Sequence, residues 1–429
     1  MVNKILLLSL LYSLLSPLSI WARDPDENIS FEKLVSENGF RLETHSITTQ
    51  DGYILTVHRV VDMEEKYDKI ENKYNSILIR KPVIIGHCIY CTSQMYFVNS
   101  PMRISRTDWK RKLNQYTNNN NEHCGDNFGF CLASQNRYDV WVPNFRGNKY
   151  SLGHFNTNSV TNPDYWKFSF QEKAQYDLPA VIQLVQKVTG QQKVAYIGYS
   201  QGTIMMFALL AEQPHYATII KPFIAWAPGL FMGTGATNMR RISYLLQPLL
   251  RQLAGPYFPM SSHFLQTHCR GPILSRICAR SFDLLFGPSN SWNYTRWPVY
   301  ARSTSHGSNW ELVHIFQLIQ AGRLQKFDYG SKESNLLHYG NVVDLPPRYP
   351  IENIPSHTKI VLINGKTDWC MTPDDIDRTV AFLRPRLGSN LIHYEIPSKS
   401  WSHLDFVFGQ GAGRLVYDKT IEFLDQFID

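Results

Sequence analysis

The sequence predicts an α/β protein: a mostly parallel, doubly wound sheet with a helical cap inserted between two of its later strands. Three observations carry this. Short apolar runs of strand character alternate with amphipathic helical stretches along most of the chain. The run "KVAYIGYS" (193–200) turns straight into the helical "QGTIMMFALLAEQ" (201–213), with a glycine two residues either side of Ser200. The alternation stops over 231–345 and then resumes, as it would around an inserted unit.

The elements follow in order. "FRLETHSITTQDGYILTVHRV" (40–60) reads as two β-runs joined through Asp51-Gly52, a hairpin signal. "KPVIIGH" and "YDVWVPNFRG" (138–147) are short buried strands, and 164–190 has helical spacing ending at a glycine. Strand 193–200, helix 201–213 and strand "IKPFIAWAP" (220–228) come next. Strand "HTKIVLING" (357–365), a helix from Pro373 and strand "NLIHYEIP" (390–397) close the pattern. This divides the chain into a first core part (23–230), a helical cap (231–345) and a last core part (346–429). Segment 103–137, with its Asn-rich "TNNNNEHCGDNFGFC", reads as a long polar surface insertion.

Of the 429 residues, 43% are hydrophobic and 18% charged, which suits a globular protein with a large core. The net charge of +7 is spread along the chain except in "RISRTDWKRK" (103–112), which reads as a solvated loop with anionic lipid contact as the alternative, so nucleic acid is not an expected partner. Residues 1–22, with Lys4, a Leu-rich run and Ala22, read as a signal peptide cleaved after Ala22. No later stretch is apolar enough to span a membrane. The mature chain is then expected in the secretory pathway, extracellular or lysosomal. Asn28-Ile-Ser and Asn293-Tyr-Thr are glycan acceptors on the same grounds. Seven cysteines in an oxidising lumen imply disulfides and at least one thiol left over. That weakens the metal-site reading of "HCIYC", where His87, Cys88 and Cys91 crowd together.

The chemistry centres on "IGYSQG" (197–202). A serine on a sharp strand-to-helix turn has its hydroxyl exposed above the sheet edge, and small neighbours make that turn possible. Serine becomes a nucleophile when a histidine takes its proton and a carboxylate orients that histidine. In this architecture the order is Ser, acid, His, each after a later strand. Asp368 in "NGKTDWC" and His403 in "SWSHLDF" stand at those positions; Asp374 and Asp375 suit helix capping, and His393 lies mid-strand. Acyl transfer also needs two N–H groups aimed at the oxyanion. One is expected from Gln201, the other from the "HCIYC" loop.

With these residues in place, the chain resembles the acid lipase family, which includes gastric and lysosomal acid lipases, within the α/β-hydrolase fold. The matching runs include "TTQDGYILTVHRV", "YDVWVPNFRGNKYS", "YIGYSQGT", "NLLHYG", "LPPRYPIENIP", "NGKTDWCMTPDD" and "WSHLDFVFG", spanning about residues 35 to 425. The resemblance implies hydrolysis of neutral lipid esters, such as triacylglycerol or cholesteryl ester, with a cap and lid over the site. A serine mechanism needs no metal or organic cofactor, and the expected setting is a monomer at a lipid–water interface. The resemblance also implies Ser200 as nucleophile, Asp368 and His403 as its partners, the N–H groups of Ile89 and Gln201 as oxyanion hole, and a Cys269–Cys278 cap disulfide.

The chain also departs from the family pattern. Tyr199 replaces the usual histidine before the nucleophile, and the 103–137 insertion adds Cys124 and Cys131. Cys88 replaces the glycine of the oxyanion loop. If that position needs φ > 0, its side chain costs roughly 1–2 kcal/mol of backbone strain. A disulfide to Cys91, Cys124 or Cys131 is open, and one to the insertion would pin the loop to it. An impaired oxyanion hole would leave a lipid-binding protein on the same fold; an acyltransferase using the same acyl-enzyme is the other alternative.

Overall fold

The computed structural model describes residues 24–63, 80–101, 125–135, 137–159, 161–233, 237–253, 255–258, 262–340 and 345–427. The expected signal peptide, the basic run 103–112 and Cys124 lie outside the described residues. Among the described residues, no helix is long and apolar enough to cross a membrane.

The sheet has nine strands: β1 (Phe40–Thr48), β2 (Tyr53–Asp62), β3 (Lys81–Gly86), β4 (Tyr138–Asn144), β5 (Gly153–His154), β6 (Val194–Tyr199), β7 (Ile220–Trp226), β10 (Ile360–Asn364) and β11 (Leu391–Glu395). Their order is β1-β2-β4-β3-β6-β7-β10-β11, with β5 beside β2. The hairpin β1–β2 and the β2–β4 pair are antiparallel; every pair from β4 to β11 is parallel. β4, β3, β6 and β7 are almost wholly buried, as parallel strands covered by helices on both faces should be. The expected α/β-hydrolase fold is therefore present, with β4 and β6 buried at every position.

Three local expectations change. The helix expected over 164–190 starts at Phe170, because Ser169 accepts from Gln171 N–H and completes a capping box with Glu172. Residues 163–166 form a separate 3₁₀ turn. Segment 231–345, expected to lack strands, contains a two-stranded ribbon of β8 (Tyr257–Phe258) and β9 (Gly307–Ser308) among its helices. The end of the 103–137 insertion is not a surface loop: "FGFCLA" forms the buried helix Phe128–Ala133. Its apolar side chains override the polar context, and Gly129 admits the Phe97 ring where a Cβ would sit 2.1 Å away.

Helices Thr237–Leu253, Ser262–His268, Gly271–Phe286 and Asn309–Ala321 lie between β7 and β10 in sequence. Cys269 and Cys278 form a disulfide across the start of the third. Arg296, in the same segment, is buried and donates to Asp24 and Asp26, tying the first described residues to it.

Candidate active site

Ser200 stands between β6 and the helix Gln201–Glu212 with φ 54° and ψ −116°, a strained conformation for a side-chain-bearing residue. The flanking glycines make the turn sterically possible. A Cβ on Gly198 would lie 2.9 Å from the Gly202 carbonyl, and one on Gly202 would lie 2.7 Å from the Gly86 oxygen. The second contact also places the end of β3 against the serine turn, so the "HCIYC" loop leaves the sheet beside it.

The loops after β10 and β11 bring the acid and the base to this turn. His403 Nε2 is 2.8 Å from Ser200 Oγ, and His403 Nδ1 is 2.8 Å from Asp368 Oδ2. The other carboxylate oxygen accepts the N–H groups of Cys370 (2.8 Å) and Met371 (2.9 Å). All three residues are at most 6% exposed. The Asp368 contact keeps a proton on Nδ1 and leaves Nε2 free to accept from the serine. Cys370 Sγ lies close enough to complete a trio of metal-type donor atoms, but both Asp368 oxygens are already engaged.

Tyr199 is fully buried, and its hydroxyl donates to the His403 backbone carbonyl at 2.7 Å. The Phe286 carbonyl, ending helix Gly271–Phe286, accepts from both His403 N–H and Trp369 N–H at 3.3 Å. His393, the competing base, hydrogen-bonds Asn364 on the neighbouring strand instead. Asp375 sits in the first turn of helix Pro373–Leu387, where Thr372 is the cap and accepts its N–H at 3.3 Å, and its carboxylate accepts from the Thr372 hydroxyl and Gly233 N–H.

The loop after β3 is held from within. Cys88 and Cys91 form a disulfide, so the bond is local and does not reach the insertion. Cys131 is itself disulfide-bonded inside the buried helix, away from this loop. The residue with φ > 0 is Tyr90 (54°), not Cys88, so the strain expected at Cys88 is absent. The reason is the fastening around Tyr90. Its ring stacks on Phe258 with centroids 5.0 Å apart, its hydroxyl donates to the Ser308 carbonyl, and its carbonyl accepts from Ser305 N–H.

His87 is not a metal ligand in this arrangement. Its Nε2 accepts from Phe145 N–H at 3.1 Å and its Nδ1 faces the Cys88 carbonyl at 2.8 Å. Burial, and then the positive charge of Lys173, hold its pKa down to about 3, so the ring is neutral with the proton on Nδ1. That hydrogen bond turns the Cys88 carbonyl inward. In a trans peptide the following N–H, that of Ile89, points the opposite way. Among the described residues, neither the Ile89 nor the Gln201 N–H has an internal acceptor. The sequence led to an expectation of this loop and of Gln201, and the resemblance to one of Ile89, but neither disclosed the part His87 plays. A polar residue ending an otherwise apolar buried strand was the signal for it.

The fold and this constellation define an α/β hydrolase. The family model described as "alpha/beta hydrolase fold" matches residues 121–407, and a partial α/β-hydrolase lipase region matches 31–100. A solved lipase candidate from Sulfolobus solfataricus superposes with TM-score 0.52 at 14% identity, covering 90% of this chain and 95% of that one, which supports the fold. Rat lysosomal acid lipase/cholesteryl ester hydrolase is 31% identical, covering 95% of this chain and 94% of its own length. Rat gastric triacylglycerol lipase is 29% identical, covering 94% and 93%. The chain belongs to the acid lipase family and is a carboxylic ester hydrolase.

Proposed function

We propose that Ser200, His403 and Asp368 hydrolyse neutral lipid esters through an acyl-enzyme. The observation that carries this reading is the unbroken Ser200–His403–Asp368 hydrogen-bond chain, beside two N–H groups that have no acceptor among the described residues. His403 Nε2 takes the proton as Ser200 Oγ attacks the ester carbonyl. The tetrahedral oxygen is held by the N–H groups of Ile89 and Gln201, each such donor being worth about 10²–10³ in rate. The imidazolium, steadied by Asp368, then protonates the departing alcohol. Water repeats the sequence on the acyl-enzyme and releases the fatty acid.

Triacylglycerol or cholesteryl ester is the substrate class in keeping with the relatives' names. The segment between β7 and β10 acts as the cap. It leaves apolar side chains exposed, among them Leu245 and Leu249 on helix Thr237–Leu253 and Ile273, Ile277 and Leu284 on helix Gly271–Phe286. Such a surface suits a lipid–water interface better than bulk water. Because Ser200 is only 6% exposed, access to it requires cap displacement. The protein acts in the secretory pathway, in a lysosomal or extracellular setting, as a monomer. Asn28, which is exposed, and Asn293, whose Oδ1 accepts from the Thr295 hydroxyl, carry glycans.

The test is direct. A fluorophosphonate should label Ser200, and the protein should release fatty acid from emulsified triacylglycerol or cholesteryl ester across acidic and neutral pH. Ser200→Ala should lose both. No labelling of Ser200 and no fatty acid release would favour a lipid-binding role, and activity surviving in Ser200→Ala would overturn the reading.

A further inference from the structure

A buried charge pair lies behind the proposed oxyanion donor, and the proton relay makes no use of it. Lys173 opens the π-helical turn Lys173–Asp177, set between the helical segments Phe170–Glu172 and Leu178–Thr189. Such turns inside α-helices are frequent at functional sites. The Lys173 side chain is 4% exposed and that of Glu311 only 1%. Lys173 Nζ donates to Glu311 Oε1 and lies 3.5 Å from Gln201 Oε1. Gln201 Nε2 donates to the same Glu311 oxygen at 3.0 Å. The other Glu311 oxygen accepts Ser308 N–H at 3.1 Å, closing the capping box of helix Asn309–Ala321.

The three side chains thus form a closed triangle around Gln201, and both of its amide atoms are engaged. Burying two charges carries a large desolvation cost, and an apolar pair of similar volume often folds as well. What the ion pair adds over such a pair is direction: it fixes the Gln201 side chain, and with it the first peptide of the helix that carries the oxyanion N–H. The charge of Lys173 also helps keep His87 neutral, so both loops around the oxyanion position feel this one ammonium.

We infer that Lys173 and Glu311 are positioning residues for ester hydrolysis, clamping Gln201 so that its backbone N–H holds its aim on the tetrahedral oxyanion. This rests on Gln201 being an oxyanion donor. A donor moved off its position loses much of its contribution, because the stabilisation depends on geometry set before the reaction.

The test compares wild type with Lys173→Met, Glu311→Gln and the double variant carrying both changes. Each would be measured with a water-soluble p-nitrophenyl ester, a trifluoromethyl ketone inhibitor and fluorophosphonate titration of active sites. The single variants leave one charge buried and can lose folded protein; the neutral double variant does not, and titration counts only competent sites. Per titrated site, kcat of the double variant should fall about 10- to 100-fold with KM within about threefold. The ketone, whose bound adduct carries the oxyanion, should weaken by a similar factor. A double variant with wild-type kcat per site and undiminished ketone affinity would overturn the inference. Loss of the underlying reading looks different: the ketone would fail against the wild type, or Ser200→Ala would stay active.

Discussion

The Tyr199 hydroxyl donates to the backbone carbonyl of His403 at 2.7 Å, so the residue before Ser200 holds the loop that carries His403. Serine and histidine are thereby linked twice, once through the reacting atoms and once through a contact that does not change during the reaction. In Tyr199→Phe the ring still fills its fully buried site, but the carbonyl loses its donor. We expect a stability loss of about 1–3 kcal/mol. A drop in kcat of about three- to tenfold, with KM little changed, should accompany it, because a misplaced base slows only the chemical step. Urea denaturation and steady-state kinetics on a soluble ester would check both.

The Cys88–Cys91 bond encloses Ile89 in a small covalent ring. Restoring a family-like glycine with Cys88→Gly therefore removes a constraint and does not relieve strain, since Cys88 is not at positive φ. Turnover should fall, by about tenfold on the scale of a weakened oxyanion donor. A rise in kcat would contradict this account. Peptide mapping with alkylation but without reduction should recover the peptide holding Cys88 and Cys91 unalkylated at both, and alkylated at both once reduced.

Gly202 lies where the serine turn meets the end of β3. In Gly202→Ala the new methyl would stand 2.7 Å from the Gly86 oxygen, a backbone atom that has little room to retreat. Separating the two loops moves Gln201 away from Ile89. The variant should fold with about 1–3 kcal/mol less stability and lose at least tenfold in kcat. Thermal unfolding together with a kcat measurement distinguishes this from a change at the surface.

Asp405 links stability to acidity. It is fully buried, and burial raises its pKa from 3.8 to about 6, opposed by hydrogen bonds from Ser289 and Ser402. Between about pH 4 and pH 6 the folded protein thus holds a proton that the unfolded chain has released. Its contribution to stability is greatest below that window and is lost as pH rises through it, by about 3 kcal/mol at full extent. Urea midpoints at pH 4.5, 5.5 and 7 should show this decline in wild type. Asp405→Asn should flatten that part of the profile.

The parts of the fold and site that could be read from sequence are those fixed by local pattern and chain order. Gly198, Ser200 and Gly202 declare a strand-to-helix turn, and Asp368 and His403 stand in loops directly after apolar strands. Features set by contacts far along the chain could not be read. Lys173 looks like a solvent-facing residue until Glu311, 138 positions later, folds against it. The backbone at Cys88 depends on how residues 304–308 grip Tyr90. The helix Phe128–Ala133 was hidden by the asparagine run before it, because composition averaged over a loop conceals six apolar residues at its end.

The carbonyl of Phe286 serves the acid loop and the base loop at once, through Trp369 and His403. The last turn of helix Gly271–Phe286 is therefore a doorpost and not part of the door. Any opening that admits a lipid must leave this end standing, or it dismantles the relay it is meant to expose. Among the described residues, helix Thr237–Leu253 bonds instead to helix Asn309–Ala321, through Leu250 and Ser243, and leaves Leu245 and Leu249 exposed. One end of the inserted segment is thus part of the frame that holds the two loops of the site.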